Sequence, residues 1–228
     1  LATERGAVDA TGAVPNRSSP SPSSPWAPPG QYTVRLTVAG KSYTQPLTVR
    51  LDPRVKTSPS ALAENTKLSL EMYELARTTR MAYGQAHDLG EKVGQLVKEQ
   101  NVDGAFKTEI DSVAPDEARG GRRFFGRGGG RPAATLNAAS SAALAASLSM
   151  QAAETAPTAA QIAACARART QAAAAMAHWN TLKTTGLSSF NALLKTKGQP
   201  ALTLPPLRLP AALPSDENGN VNEKENEG

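Results

Sequence analysis

The sequence predicts an α+β protein: a small, incomplete immunoglobulin-like β module followed by an antiparallel α-helical bundle, with extended arms at both ends. Three observations predict it. Apolar and polar residues alternate through residues 31–51. Apolar residues then recur every seven positions from Leu68 to Leu96. Alanine-rich stretches with helical start and stop signals fill residues 132–199, and proline-rich segments flank the whole.

Residues 1–27 form the first arm. They end in "NRSSPSPSSPWAP", where proline removes backbone donors and favours extended chain. Trp26 is the one large anchor there, and a tryptophan in such a place caps a following sheet more often than it binds a ligand. Residues 28–56 make the β module. Tyr32, Val34, Leu36 and Val38 face one way and Thr33, Arg35 and Thr37 the other; after Ala39-Gly40 the apolar row resumes with Tyr43, Leu47, Val49 and Leu51. Pro46 cannot donate to a ladder, so the second strand lies at an edge or carries a bulge. A lone hairpin is marginal in water and is expected to pack on something.

Residues 57–199 are read as the helical bundle. Ser58 is the expected N-cap with Pro59 at the first helical position, and the helix runs to residue 100. Leu68, Leu75, Ala82, Leu89 and Leu96 interleave with Met72, Thr79, Ala86 and Val93 as a seam for neighbouring helices of the same chain. Residues 101–131 are read as a connection ending in an Arg/Gly loop, bounded at 116–132. A second helix over 132–154 carries Leu136, Leu144, Leu148 and Met150. Thr158 and Gln161 then have the spacing of a capping box. A third helix is expected to place Ile162, Cys165, Met176, Trp179 and Leu182 inward and to stop at Gly186. A short helix with Phe190, Leu193 and Leu194 ends near Gly198. Residues 200–228 give a strap, "PALTLPPLRLPAALP", expected to lie in a groove of the bundle or of a partner, and an acidic tail.

Composition bounds the chemistry. The chain has 228 residues, and much of its 39% apolar content is alanine. A single cysteine, Cys165, excludes an internal disulfide and a cysteine-based zinc cage. No stretch reaches the roughly 20 apolar residues that span a bilayer. The chain starts at Leu1 rather than methionine, so a processed product or a fragment is expected. The net charge of +5 is uneven: "RGGRRFFGRGGGR" holds five arginines and no acid, whereas "DENGNVNEKENEG" holds five acids against Lys224.

Candidate catalytic groups are sparse. His87 and His178 lie in separate helices without a carboxylate pattern for metal. Cys165 has no activating base near it in sequence and reads as a buried thiol. Asp88, Glu91 and Glu99 read as a solvated face. Neither a phosphate-cradling loop nor a dinucleotide fingerprint occurs. No enzyme activity, metal or cofactor is expected.

"PGQYTVRLTVAGKSYTQPLTVRLDPR" resembles the ending of a small immunoglobulin-like module in large secreted bacterial proteins with sortilin-like (BNR-repeat) β-propellers, often labelled glycosyl hydrolases. In that family the module is followed by a helical tail, and "APTAAQ" and "HWNTLKTTGLSSFNALLKTKG" resemble that tail in order and spacing. The resemblance covers residues 28–205. The propeller, where glycosidase chemistry would sit, has no counterpart in this sequence, so no active-site residue carries over.

The expected function is therefore that of a non-catalytic structural subunit on the periplasmic or extracellular side of a larger, membrane-bound assembly. Its partners would be other protein subunits, with peripheral contact to the membrane surface and no transmembrane segment. A bacterial photosynthetic reaction-centre and light-harvesting complex is one candidate setting, chosen without support from any particular residue. The expected contact residues are Trp26 in the arm, Arg122, Arg123, Phe124 and Phe125 in the loop, and Leu207 and Leu209 in the strap. Two alternatives stand beside it: an accessory C-terminal module of a secreted propeller glycoside hydrolase, and an RNA-binding protein acting through the Arg/Gly loop, with nucleic acid the less favoured partner.

Overall fold

The computed structural model describes residues 25–116 and 134–207. It is α+β: a two-stranded antiparallel hairpin and four helical rods.

Strands β1 (Gly30–Val38) and β2 (Lys41–Val49) pair without a bulge from Gly30↔Val49 to Val38↔Lys41. Ala39 and Gly40 both have positive φ, 48° and 78°, which is the tight turn whose twist matches that of the strands. Pro46 sits opposite Thr33 within a regular ladder. Among the described residues the hairpin is the whole sheet.

The first rod is α1 (Pro59–Gln100), 42 residues and about 63 Å long at ~1.5 Å per residue. The Ser58 hydroxyl caps it, accepting from the Ala61 amide at 3.3 Å. Met72, Thr79, Ala82, Ala86, Leu89 and Val93 of the heptad seam are buried, and Leu68, Leu75 and Leu96 pack beside them.

A helix absent from the sequence reading follows: α2 (Ala105–Val113), which buries Phe106, Ile110 and Val113. Residues 101–116 are therefore not only a connection. α2 folds back antiparallel on α1, and two glycines of α1 let it come close: a Cβ on Gly90 would lie 3.1 Å from Ile110, and one on Gly94 3.1 Å from Lys107.

α3 (Leu136–Met150) continues the same line further along α1, also antiparallel. The register is pinned by Arg80 Nη1 donating to Asn137 Oδ1, Ser140 Oγ to the Ala76 carbonyl, Ser147 Oγ to the Ser69 carbonyl, and Asn65 Nδ2 to the Met150 carbonyl. Buried hydroxyls that bond across to backbone carbonyls leave no unpaired polar group at this close alanine–serine interface.

The last rod returns parallel to α1. It comprises α4 (Ala159–Thr181), a π-turn (Leu182–Gly186) and α5 (Leu187–Thr196). The Thr158–Gln161 capping box is formed, and the Gln161 side chain also ties α4 to the Ser149 carbonyl at 2.7 Å. Cys165, Ala168, Ala172, Ala175 and Trp179 line the buried stripe. Ile162, expected inward, is 45% exposed because its turn lies level with the last turn of α3, where neighbours run out. Gly186 is not a stop. Its φ of −60° is helical, and the wider π-turn absorbs one residue so that Leu187, Phe190 and Leu194 stay on the stripe of Trp179 and Leu182. The reason for glycine there is distant in sequence: a Cβ would sit 2.6 Å from the Phe106 ring of α2. The rod ends at Gly198, φ 68°, with the Gln199 amide donating to the Leu194 carbonyl and the Gly198 amide to the Lys195 carbonyl.

Candidate functional site

The hairpin presents its apolar row to solvent. Val34 is 51% exposed, Leu36 60%, Val38 55%, Tyr43 59% and Leu47 48%. The hairpin, expected to pack on something, has no such cover among the described residues: the rods pack closely on one another, while the strands pack closely only on each other. Residues 50–58 join the hairpin to α1 through a turn in which Arg54 forks onto the Asp52 carboxylate at 2.6–3.2 Å. That guanidinium holds the Asp52 carboxyl below its ordinary range. The opposite face of the hairpin is polar and internally tied: Thr37 and Ser42 hydroxyls meet at 2.9 Å, and the Thr48 hydroxyl donates to Gln31 Oε1 at 2.9 Å.

Trp26 lies at the base of the hairpin. It is 53% exposed and lines a cleft of about 70 Å³ with Leu51, Leu62, Asn65 and Met150, so it stands between the hairpin and the start of the helices. Tyr32 is fixed there too, its hydroxyl donating to the Pro28 carbonyl at 2.6 Å.

The strap lies on its own helices. Leu202, Leu204 and Leu207 pack against the core, and Asn191 clasps Leu202, its Nδ2 donating to the carbonyl at 2.9 Å and its Oδ1 accepting from the amide at 2.8 Å. Gln85 Nε2 donates to the Pro205 carbonyl. Strap and α1 enclose a groove of about 820 Å³ lined by Arg80, Tyr83, His87, Asp88, Lys92 and Asp116 among others. It mixes both signs of charge with leucines and prolines and gathers no set of groups suited to one reaction.

Arg122, Arg123, Phe124, Phe125 and Leu209 lie outside the described residues, as do residues 1–24 and the acidic tail. Of the expected contact residues, Trp26 is thus placed near the open hairpin and Leu207 on the helices, in separate parts of the molecule. The contact-residue expectation did not include the exposed row Val34, Leu36, Val38, Tyr43 and Leu47. The sequence signal for it was present: an alternating hairpin with no third strand to pair with.

Cys165 is buried in the α1–α3–α4 core, and burial pushes its thiol up from the ordinary value. That is the reverse of the activation a nucleophile needs. His178 is exposed, and His87 leans on the Tyr83 ring at 5.9 Å in the groove. Among the described residues no three His, Cys, Asp or Glu side chains could share a metal ion, and no helix is long and apolar enough to cross a membrane.

No family model, curated protein or solved structure matches this chain. The site geometry therefore bears on function by itself, and within that geometry the open hairpin is the feature that departs furthest from what water favours.

Proposed function

We propose that this chain is a non-catalytic interaction module that joins a larger assembly through its open hairpin, with the helices as a rigid spacer. One observation carries the reading: five large apolar residues, 48–60% exposed, lie on one face of a sheet that has only two strands among the described residues. A partner covering them removes that area from water at about 25 cal/mol per Å² and supplies the third strand that gives a hairpin independent stability. The partners would be other protein subunits. The outer or periplasmic face of a membrane-bound complex, of which a photosynthetic reaction-centre assembly is one example, remains the proposed setting.

The same exposed face favours a second reading. If the hairpin is the end of an immunoglobulin-like sandwich, the strands that cover it belong to a secreted propeller glycoside hydrolase of which this region is the accessory C-terminal module. The RNA-binding reading rests on Arg122, Arg123, Phe124 and Phe125, which lie outside the described residues.

The test is to tag the full chain in its native host, solubilise membranes gently and identify co-purifying proteins by mass spectrometry, with Leu36→Asp alongside. A stoichiometric set of proteins, lost from Leu36→Asp, is expected. Recovery joined to a propeller selects the second reading, and an identical set with both chains removes the hairpin from either.

A further inference from the structure

We infer that the outer edge of β1, and not that of β2, accepts a partner strand, and that this strand belongs to a different polypeptide and carries an acidic residue opposite Arg35. The inference rests on the reading of the hairpin as a docking element and specifies how docking occurs.

The register decides the edge. A two-residue turn closes with a bond between Val38 and Lys41, which makes that pair the hydrogen-bonded one. Antiparallel pairs then alternate. The pairs Leu36↔Tyr43, Val34↔Gln45, Tyr32↔Leu47 and Gly30↔Val49 turn their amides and carbonyls inward. The pairs Thr37↔Ser42, Arg35↔Thr44, Thr33↔Pro46 and Gln31↔Thr48 turn theirs outward. Proline in an outward position agrees with this phase, since a proline facing inward would break the hairpin's own ladder.

The two outer rows are therefore unequal. Gln31, Thr33, Arg35 and Thr37 give β1 an uninterrupted series of donors and acceptors. Ser42, Thr44 and Thr48 are separated in β2 by Pro46, which has no donor and whose ring projects where an added backbone would lie. Strand addition by main-chain bonds thus has one continuous template.

Charge and area choose the partner. Arg35 lies midway along the accepting row, exposed, and no acid of the described residues pairs with it. β1 and β2 hold Arg35 and Lys41 and no acidic residue, so a second copy would bring arginine towards arginine. Packing two hairpins face to face fares no better: about 30 Å by 10 Å is ~300 Å² per copy, against the ~800 Å² per partner of stable interfaces. A different chain that adds a strand at β1 and continues across the apolar face answers both limits. Its residues beside Tyr32, Val34 and Leu36 would be apolar, and the one beside Arg35 acidic.

The probe is a synthetic peptide of about nine residues alternating valine and threonine, with glutamate at the central polar position, titrated against the full chain by fluorescence anisotropy. Saturable binding to the wild type is expected, weakened at least tenfold by Thr33→Pro. That change places in β1 what Pro46 already is directly across the ladder, so the hairpin should survive, as cross-strand amide NMR contacts would verify. Pro46→Thr should retain binding. Arg35→Glu should weaken the glutamate peptide and restore binding to its lysine counterpart. Absence of binding to the wild type overturns the inference, as does equal binding by an intact Thr33→Pro hairpin. Two further results overturn the choice of partner: outer β1 amides already protected from exchange in the monomer, which would mean the chain's own residues fill the edge, or a dimer dissolved by Thr33→Pro. Co-purification lost with Leu36→Asp but kept with Thr33→Pro would leave the docking reading standing and remove this one.

Discussion

Trp179 and Leu36 are both large apolar residues set on one face of a regular element by that element's own period. Trp179, in α4, is 0% exposed; Leu36, in β1, is 60% exposed. The hairpin is not the poorer element locally: its turn, register and cross-strand hydroxyl bonds are as regular as the caps of the helices. What separates the two regions is that every helical stripe meets another, whereas the apolar face of the hairpin meets solvent. Periodicity marks which face wants cover, and it leaves open whether the covering surface is in the same chain.

The sharpest way to break this comparison is to truncate on both sides. Trp179→Ala should cost about 3–5 kcal/mol of unfolding free energy in urea titrations. Leu36→Thr should stay within about 0.5 kcal/mol in the isolated chain. A large loss for Leu36→Thr would mean the hairpin does pack on the helices in solution. Trp179→Phe should cost far less than the alanine change, because the indole N–H has no acceptor to lose among the described residues.

Two glycines sharpen it next. Gly186→Ala drives a methyl into the Phe106 ring and should destabilise by about 1–3 kcal/mol, partly recovered by Phe106→Leu. Gly84→Ala in α1 meets nothing within 4 Å and should stabilise by about 0.5–1 kcal/mol. Thermal unfolding of both variants reads opposite signs of shift.

The smallest effect is electrostatic. Arg169 holds Glu71 through two bonds of 2.6 and 2.8 Å and lowers its carboxyl from 4.5. A carboxyl depressed in the folded state contributes stability above its unfolded value, and that contribution is lost as pH falls through the folded one. Glu71→Gln should therefore lower stability slightly at neutral pH and converge with the wild type once pH has fallen through the lowered folded-state value, with the difference screened by salt because both side chains are nearly half exposed.

Much of the fold was legible because its signals are local. Ser58-Pro59, the seven-residue spacing from Leu68 and the Thr158–Gln161 box each report on residues within a turn or two. The failures came from contacts that sequence spacing does not carry. Gly186 looks like a stop until Phe106, eighty positions earlier, is set beside it. α2 escaped notice because Gly104 offers no side-chain cap, although Phe106, Ile110 and Val113 do have helical spacing. The candidate site was legible as a hairpin that needs cover but not as to what covers it, since an alternating pattern states a demand for cover without naming what supplies it.

Pro46 has a consequence for stoichiometry. A sheet with two receptive edges can propagate, each added strand presenting the next edge, and growth of that kind ends in fibres. Here one side of the hairpin is terminated within the sequence itself. Addition at β1 would be a single event: one chain, one recipient edge, one strand taken up. The assembly would be counted in whole copies, its size bounded by a residue that has no amide hydrogen to donate.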